Sequence, residues 1–374
     1  MNYFYRCLIF HDIMNYREIA DILARWFLCH GRDLPWKNTR DPYKIWISEV
    51  ILQQTRVNQG TDYYIRFTGR FPDIHSLAAA ETDEVMRYWQ GLGYYVRARN
   101  LHDTARTIVQ RWNGIFPDQY DDILSLKGIG RYTAAAVASF AFNQPYPVID
   151  GNVYRVLARL CLIRYPMNKL AGFRKAMQYA QQMMHNAQPR LFNQAIIEFG
   201  EIQCVPHHPD CPACLLRHHC LAFVTGKTGQ YPARKKKTKS TLRHLHYLVI
   251  RTKGRLLIHR REDKDIWPLL YQFPLIETTG PITPEDLLKH PHFRNLMGTS
   301  VYTLEKISDT YTHPLSHRII HARFYTFTLK KPEPSLIRKF RAVDISELNK
   351  YPFPRLITRF MESSGLIFRE AKME

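Results

Sequence analysis

The sequence predicts two folded parts in one chain, an all-helical part running to about residue 225 and an α+β part from about residue 244. Three observations carry this. Apolar residues recur at helical spacing through the first part, a basic stretch without acidic residues (Gly226 to Arg243) interrupts the pattern, and short runs beyond it alternate with the period of two that marks strands. A length of 374 residues suits two domains better than one.

Residues 1 to 13 show no periodicity and read as a disordered extension or an over-long start before Met14. From Ile19, the stripe Ile19, Ile22, Leu23, Trp26 and Phe27 has the spacing of one buried helix face. Further helical stretches are expected around 44 to 55, 62 to 67, 82 to 89, 95 to 111, 119 to 125, 131 to 142, 152 to 163, 170 to 186 and 190 to 203. Residues 14 to 225 thus form the helical domain. The next stretch carries Lys227, Arg234, Lys235, Lys236, Lys237, Lys239 and Arg243 among Gly, Pro and Thr, offers no apolar face, and reads as an exposed linker over 226 to 243. The second domain, 244 to 368, takes strands at Leu245 to Arg251 and Arg255 to Arg260, and a third where Ala322, Phe324, Thr326 and Thr328 alternate with Arg323, Tyr325 and Phe327. Helices are expected near 284 to 290 and 352 to 362, and a short tail, 369 to 374, ends the chain.

Lys and Arg number 53 against 33 Asp and Glu, a formal charge of +20, while 45% of residues are hydrophobic. Such a chain buries real cores and is not a polybasic tail. No apolar run approaches the roughly 20 residues that cross a bilayer, and Tyr3 to Phe10 is short and broken by Arg6, which argues against a membrane span or a cleaved signal peptide. The charge fits nucleic acid, whose phosphates release counterions to Lys and Arg, or serves solubility alone. Four of the seven cysteines fall within 17 residues and the rest are scattered, the distribution of one ligand cluster in a reducing cytoplasm.

That cluster, Cys204, Cys211, Cys214 and Cys220, spaced C-x6-C-x2-C-x5-C, can close around one metal centre. Structural zinc sites usually carry two short pairs and only Cys211 and Cys214 are two apart, so the spacing favours an iron-sulfur cluster. A mixed zinc site remains open, since His207, His208, His218 and His219 crowd the loop. Leu126 to Ala134 holds Gly128 and Gly130 between helical stretches. It reads either as an ordinary turn or as a hairpin that offers amide donors to a phosphate at the next helix start. Asp150-Gly151-Asn152 opens a helix, where Asp150 is a cap or a carboxylate aimed at a cation. Glu49 lies among Ile45, Trp46, Ile47, Val50, Ile51 and Leu52. Facing inward it would be desolvated and kept protonated for general-acid work; facing outward it would be an ordinary surface acid.

Together the glycine hairpin, the aspartate twenty residues on and the cysteine loop resemble the helix-hairpin-helix DNA glycosylases of the endonuclease III superfamily. Leu34-Pro35-Trp36, Asp41-Pro42-Tyr43, the run Ser48 to Val57, and Gly91-Leu92-Gly93-Tyr94-Tyr95 resemble its MutY branch, adenine glycosylases acting opposite 8-oxoguanine. The likeness spans nearly all of 15 to 222. It implies a 4Fe-4S cluster on the four cysteines and a monomer acting on duplex DNA with A opposite 8-oxoguanine or G, in the cytoplasm of a bacterium at the nucleoid. It implies that Glu49 protonates adenine, that Asp150 stabilises the oxocarbenium-like sugar with help from Tyr132 and Asn152, and that Gln54, Thr55, Leu92 and Tyr94 contact the opened duplex beside Trp36 and the Gly128–Gly130 hairpin. Tyr132 stands where lyase members carry a Schiff-base lysine, which implies hydrolysis without strand cleavage. In the second domain, Leu256 to Arg261 and Ile266 to Pro274 resemble a NUDIX-like reader, and Leu315-Ser316-His317 resembles its lesion-sensing Phe-Ser-His loop with Leu in place of Phe. No Glu-rich NUDIX box follows Pro274, so that domain is expected to read a lesion and not to hydrolyse. Two alternatives stay in view: another glycosylase of the same scaffold, acting on mismatched thymine or uracil or on an oxidised pyrimidine, and a non-catalytic iron-sulfur DNA-binding protein.

Overall fold

The computed structural model describes residues 15–185, 187–233, 240–261, 266–315 and 317–367. The extension 1–13, the 234–239 part of the linker, Ser316 and the tail 369–374 lie outside the described residues. No helix among the described residues is long and apolar enough to cross a membrane.

Among the described residues up to 224 run twelve helices: α1 Tyr16–His30, α2 Pro42–Leu52, α3 Val57–Arg70, α4 Ile74–Ala79, α5 Thr82–Tyr88, α6 Val96–Trp112, α7 Tyr120–Ser125, α8 Arg131–Phe142, α9 Gly151–Leu160, α10 Leu170–Met184, α11 Pro189–Ile202 and α12 Leu221–Val224. The starts follow local chemistry. Asn15 caps α1 by accepting from the Glu18 amide (3.1 Å), and Asp41 caps α2 by accepting from the Tyr43 amide (2.9 Å) with Pro42 just inside. The α1 stripe is buried as its spacing predicts, Ile19, Leu23 and Trp26 joining Val153, Val156 and Leu157 of α9, Ala180 of α10 and Phe199 of α11 in one core. A second layer forms where α2 lies on α8. Helix α8 has small residues through its middle, Thr133 to Ser139 broken only by Val137, so the apolar α2 approaches closely and is buried from Ile45 to Ile51.

By packing, the described chain divides into one unit of 15–78 and 103–233 and another of 79–102 and 240–367. This corrects the single division expected at 226 to 243. The stretch 79–102 groups with the C-terminal part because Asp83 of α5 accepts from the Arg260 guanidinium (2.9 Å) and from the Tyr271 hydroxyl (3.2 Å). The linker reading also needs correction at both ends. Thr228–Gln230 is a 3-10 turn, the Tyr231 carbonyl accepts from Arg159 (3.1 Å), and Thr241 to Arg243 already belong to a strand.

The second unit carries a mixed sheet of β1 Thr241–Thr252, β2 Arg255–Arg260, β3 Tyr271–Gln272, β4 Leu275–Thr278, β5 Val301–Ile307, β6 Tyr311–Pro314, β7 Arg318–Lys331 and β8 Arg341–Asp344. The central order is β3-β2-β1-β7-β5, with β4 on β1, β6 on β7 and β8 on β2. Among the described residues only β1 and β7 run parallel, Tyr247 opposite Phe324, and the other pairs are antiparallel. Helices α13 Pro284–Lys289, α14 Pro291–Met297 and α15 Pro334–Lys339 put Leu287, Phe293, Met297 and Leu336 into a core with Leu248, Ile250 and Phe327. Against other sheet residues lies α16 Arg355–Ser363, whose Phe360 stacks on Phe324 at 3.9 Å. Because both faces are covered, β7 is buried continuously from Phe324 to Phe327 where one-sided alternation was expected.

Candidate active site

A cavity of about 830 Å³ opens among α2, α8, α9 and α11 in the first unit. Glu49 enters it from the buried helix α2 with 7% of its surface exposed, which decides for the inward-facing reading. Burial raises its carboxyl pKa, the charges of Asp150 and Glu201 raise it further, and the hydrogen bond donated by the Tyr132 phenol lowers it; the balance is about 7. Tyr132 sits in the first turn of α8, and burial beside Glu49 and Asp150 raises its pKa well above the ordinary value, so it stays a neutral donor.

Asp150 is the cap that the sequence foresaw, and it also faces the cavity. One oxygen caps α9 by accepting from the Val153 amide (2.7 Å) and the other accepts from the Asn152 side-chain amide (2.8 Å), while the carboxylate lines the cavity. Burial raises its pKa and these donated bonds lower it, with a net rise. Asn152 also donates to Glu201 (3.3 Å) and accepts from Arg155 (2.8 Å). Gly200 permits this crossing of α9 and α11, since a Cβ there would stand 2.9 Å from the Asn152 backbone.

Sequence reasoning missed the surrounding charges. Glu198 of α11 takes the backbone amide and guanidinium of Arg32 (both 2.9 Å) and the ammonium of Lys37 (2.5 Å), and Glu201 takes the other Arg32 nitrogen. A glycine inside the helical run Glu198-Phe199-Gly200-Glu201 was the available signal for a close helix crossing. Trp36 lies buried at the cavity with its ring edge-to-face on Tyr64 (5.3 Å). Gln54 and Thr55 line the cavity just past α2. Gln54 is exposed with φ +61°, a strained backbone typical of functional loops. Gly128 takes φ +79° in the hairpin, while Gly130 caps α8 in extended conformation and faces open space where a ligand backbone can approach. Leu92, Tyr94 and His317 belong to the second unit. His317 is exposed in the β6–β7 turn, where the Leu315 amide donates to Arg318 (2.7 Å) and the His317 carbonyl accepts from Thr241 (3.1 Å).

Cys204, Cys211, Cys214 and Cys220 line one small apolar cavity beside α9, and none of the four loop histidines lines it. N–H donors aim at the sulfurs: Arg159 at Cys204 (3.2 Å), Leu216 at Cys214, and Ala222 and Phe223 at Cys220. Burial, with the neighbouring cysteines, pushes the Cys214 and Cys220 thiols up to about 11. Four thiol sulfurs around one small cavity, with N–H groups aimed at three of them, are a donor set that can hold a metal centre. Arg155 links this loop to the cavity, bonding the carbonyls of Cys204 and Gly200 (2.7 Å each) as well as Asn152.

Two family models match the chain, the HhH-GPD superfamily of base excision DNA repair proteins over 47–178 and the NUDIX domain over 246–363. An adenine DNA glycosylase of Buchnera aphidicola subsp. Baizongia pistaciae is 34% identical over 304 residues, 80% of this chain and 83% of its own. One from Mus musculus is 38% identical over 234 residues, 60% of this chain and 45% of its own. Among solved structures, a thermostable thymine-DNA glycosylase is similar with a TM-score of 0.50 and 25% identity, covering 56% of this chain and 97% of its own. The motif resemblance and these matches agree on fold and family. With likeness across both domains and an acid-lined cavity on the helical scaffold, the chain belongs to the adenine DNA glycosylases, a family of base excision DNA repair enzymes.

Proposed function

We propose that the protein acts as a monomer on duplex DNA, flips out adenine paired with 8-oxoguanine or guanine, and hydrolyses its bond to deoxyribose without cutting the strand. The observation that carries this is Glu49, poised to hold a proton near neutral pH in the same cavity as Asp150. Once the base is extruded, Glu49 gives its proton to a ring nitrogen, and the glycosidic bond breaks with its electrons leaving on neutral adenine. The sugar cation gains from the Asp150 carboxylate, which Val153 and Asn152 hold in place. Water then adds at the sugar carbon and releases a proton. Tyr132 offers a phenol and no amine, so no imine forms at that position.

The four cysteines suit a 4Fe-4S cluster, which when bound would cross-link the loop after α11 to the core that carries α9. A DNA substrate and reduced thiol ligands belong together in a bacterial cytoplasm, at the nucleoid. The second unit reads the partner base, with Ser316 and His317 as its hydrogen-bonding groups. Incubating the protein with a duplex carrying A opposite 8-oxoguanine, then cleaving with alkali, tests the reading. Strand breaks at the adenine only after alkali support it. Breaks without alkali, or none at all, overturn it.

A further inference from the structure

The loop between α5 and α6 takes an unusual course. Gly91 (φ +102°), Gly93 (φ +72°) and Tyr94 (φ +48°) all adopt left-handed backbone, which glycine tolerates and tyrosine resists. Tyr94 nevertheless leaves 47% of its surface in solvent. A large aromatic ring held outward on disfavoured backbone needs an external restraint, or the loop would relax to a conformation that covers the ring.

Arg97, in the first turn of α6 and 9% exposed, supplies that restraint. Its guanidinium donates to the carbonyls of Leu92 (3.4 Å) and Gly93 (3.2 Å), lies over the Trp89 ring at 5.2 Å, and stands 6.0 Å from the centre of the Tyr94 ring. Its backbone amide donates to the Tyr94 carbonyl (2.9 Å). Trp89 and Tyr95 add bonds from the same side, the Trp89 indole donating to Gly93 (3.2 Å) and the Tyr95 hydroxyl accepting from Gly91 (3.1 Å). One guanidinium nitrogen reaches both carbonyls while the delocalised cation stands over the indole, a place that suits the weakly hydrated guanidinium better than the compact, strongly hydrated ammonium of lysine.

We propose that Arg97 is a positioning residue that holds the Tyr94 ring in the conformation in which it wedges into the base stack of a lesion-bearing duplex. This rests on the reading of Leu92 and Tyr94 as duplex contacts. The test compares parent, Arg97→Lys, Tyr94→Ala and the double variant on a duplex carrying A opposite 8-oxoguanine, with 2-aminopurine beside the lesion. Fluorescence reports unstacking, titration reports affinity, and thermal melting verifies folding. Arg97→Gln, with a planar amide donor, replaces the lysine variant should that one fail to fold. Both single variants are expected to lose most of the fluorescence rise and about tenfold in affinity, and the double variant to behave as Tyr94→Ala alone. If the Arg97 substitution weakens the Tyr94→Ala background by the same factor as it weakens the parent, or leaves the fluorescence rise intact, Arg97 does not act through Tyr94 and the proposal falls. If Tyr94→Ala itself changes neither signal, the wedge reading fails, and the proposal with it.

Discussion

At Glu49 two opposing influences set the proton affinity, burial with like charges on one side and the Tyr132 hydrogen bond on the other. Excision measured in a single turnover should fall as pH rises through about 7, because the acid form is the reactive one. Tyr132→Phe removes the donated bond and should move that fall to higher pH. Glu49→Gln should leave excision below a few per cent of the parent while duplex binding persists, since it removes the proton and little contact surface. It also has a stability signature. The folded carboxyl keeps its proton up to about 7 while the unfolded one loses it near 4.5, so the parent loses stability as pH rises between these values, by at most roughly 3.5 kcal/mol at ~1.4 kcal/mol per pH unit. The glutamine variant should therefore melt progressively higher relative to the parent between pH 5 and pH 7, the difference levelling off above that. Glu49 and Asp150 were legible because an acid in an apolar helical run and an aspartate at a helix start are local patterns. The Arg32 and Lys37 pairs with Glu198 were not, because the partners lie more than 150 residues apart and each alone reads as a solvated charge.

Among the elements, length helped but did not alone decide what could be read in advance. Helices α1, α8 and α11 span 15, 12 and 14 residues and show their periods. By contrast α4, α12, α14, α15 and the strands β3, β6 and β8 have two to seven residues and were not placed, although α5, α7 and α13, of seven, six and six residues, were. The cysteine loop was legible for another reason, since ligand spacing is chemistry and needs no period. Cys204, Cys214 and Cys220 pack against the core that holds Val153, Val156 and Leu157, and Asp150 caps that same helix α9. Damage to the loop should therefore reach the site. Cys214→Ser should lose most of the bound iron and sulfide, melt several degrees lower and bind duplex more weakly, as elemental analysis, thermal melting and titration would register. Zinc at one equivalent in the parent, or unchanged iron in the variant, would contradict that role for the cysteine.

At the scale of the whole chain, the boundary drawn from composition was incomplete, because the Asp83 partners Arg260 and Tyr271 lie some 180 residues further on and no local pattern announces them. The consequence bears on any truncation. A chain ending near Gly226 keeps Glu49, Asp150 and Tyr132 and should still remove adenine, but it strips 79–102, with Leu92 and Tyr94, of the residues it packs against. Affinity should then fall for A opposite 8-oxoguanine and A opposite G together, in addition to any loss of preference between them. Asp83→Asn in the full chain isolates the first effect. The pair is about one-third exposed on each side, which limits its worth to roughly 0–1 kcal/mol, so a loss of up to about fivefold in affinity, equal for both mispairs, is expected. Ser316→Ala with His317→Ala isolates the second. These groups would hydrogen-bond the base edge where 8-oxoguanine differs from guanine, each bond worth ~0.5 to 1.5 kcal/mol, so the double variant should narrow the ratio of the two excision rates and leave A opposite G nearly unchanged. Rates on both mispairs for the three proteins separate the effects, and a ratio unaltered by the double substitution would mean that the β6–β7 turn, with Leu315 at its start, is not the sensor.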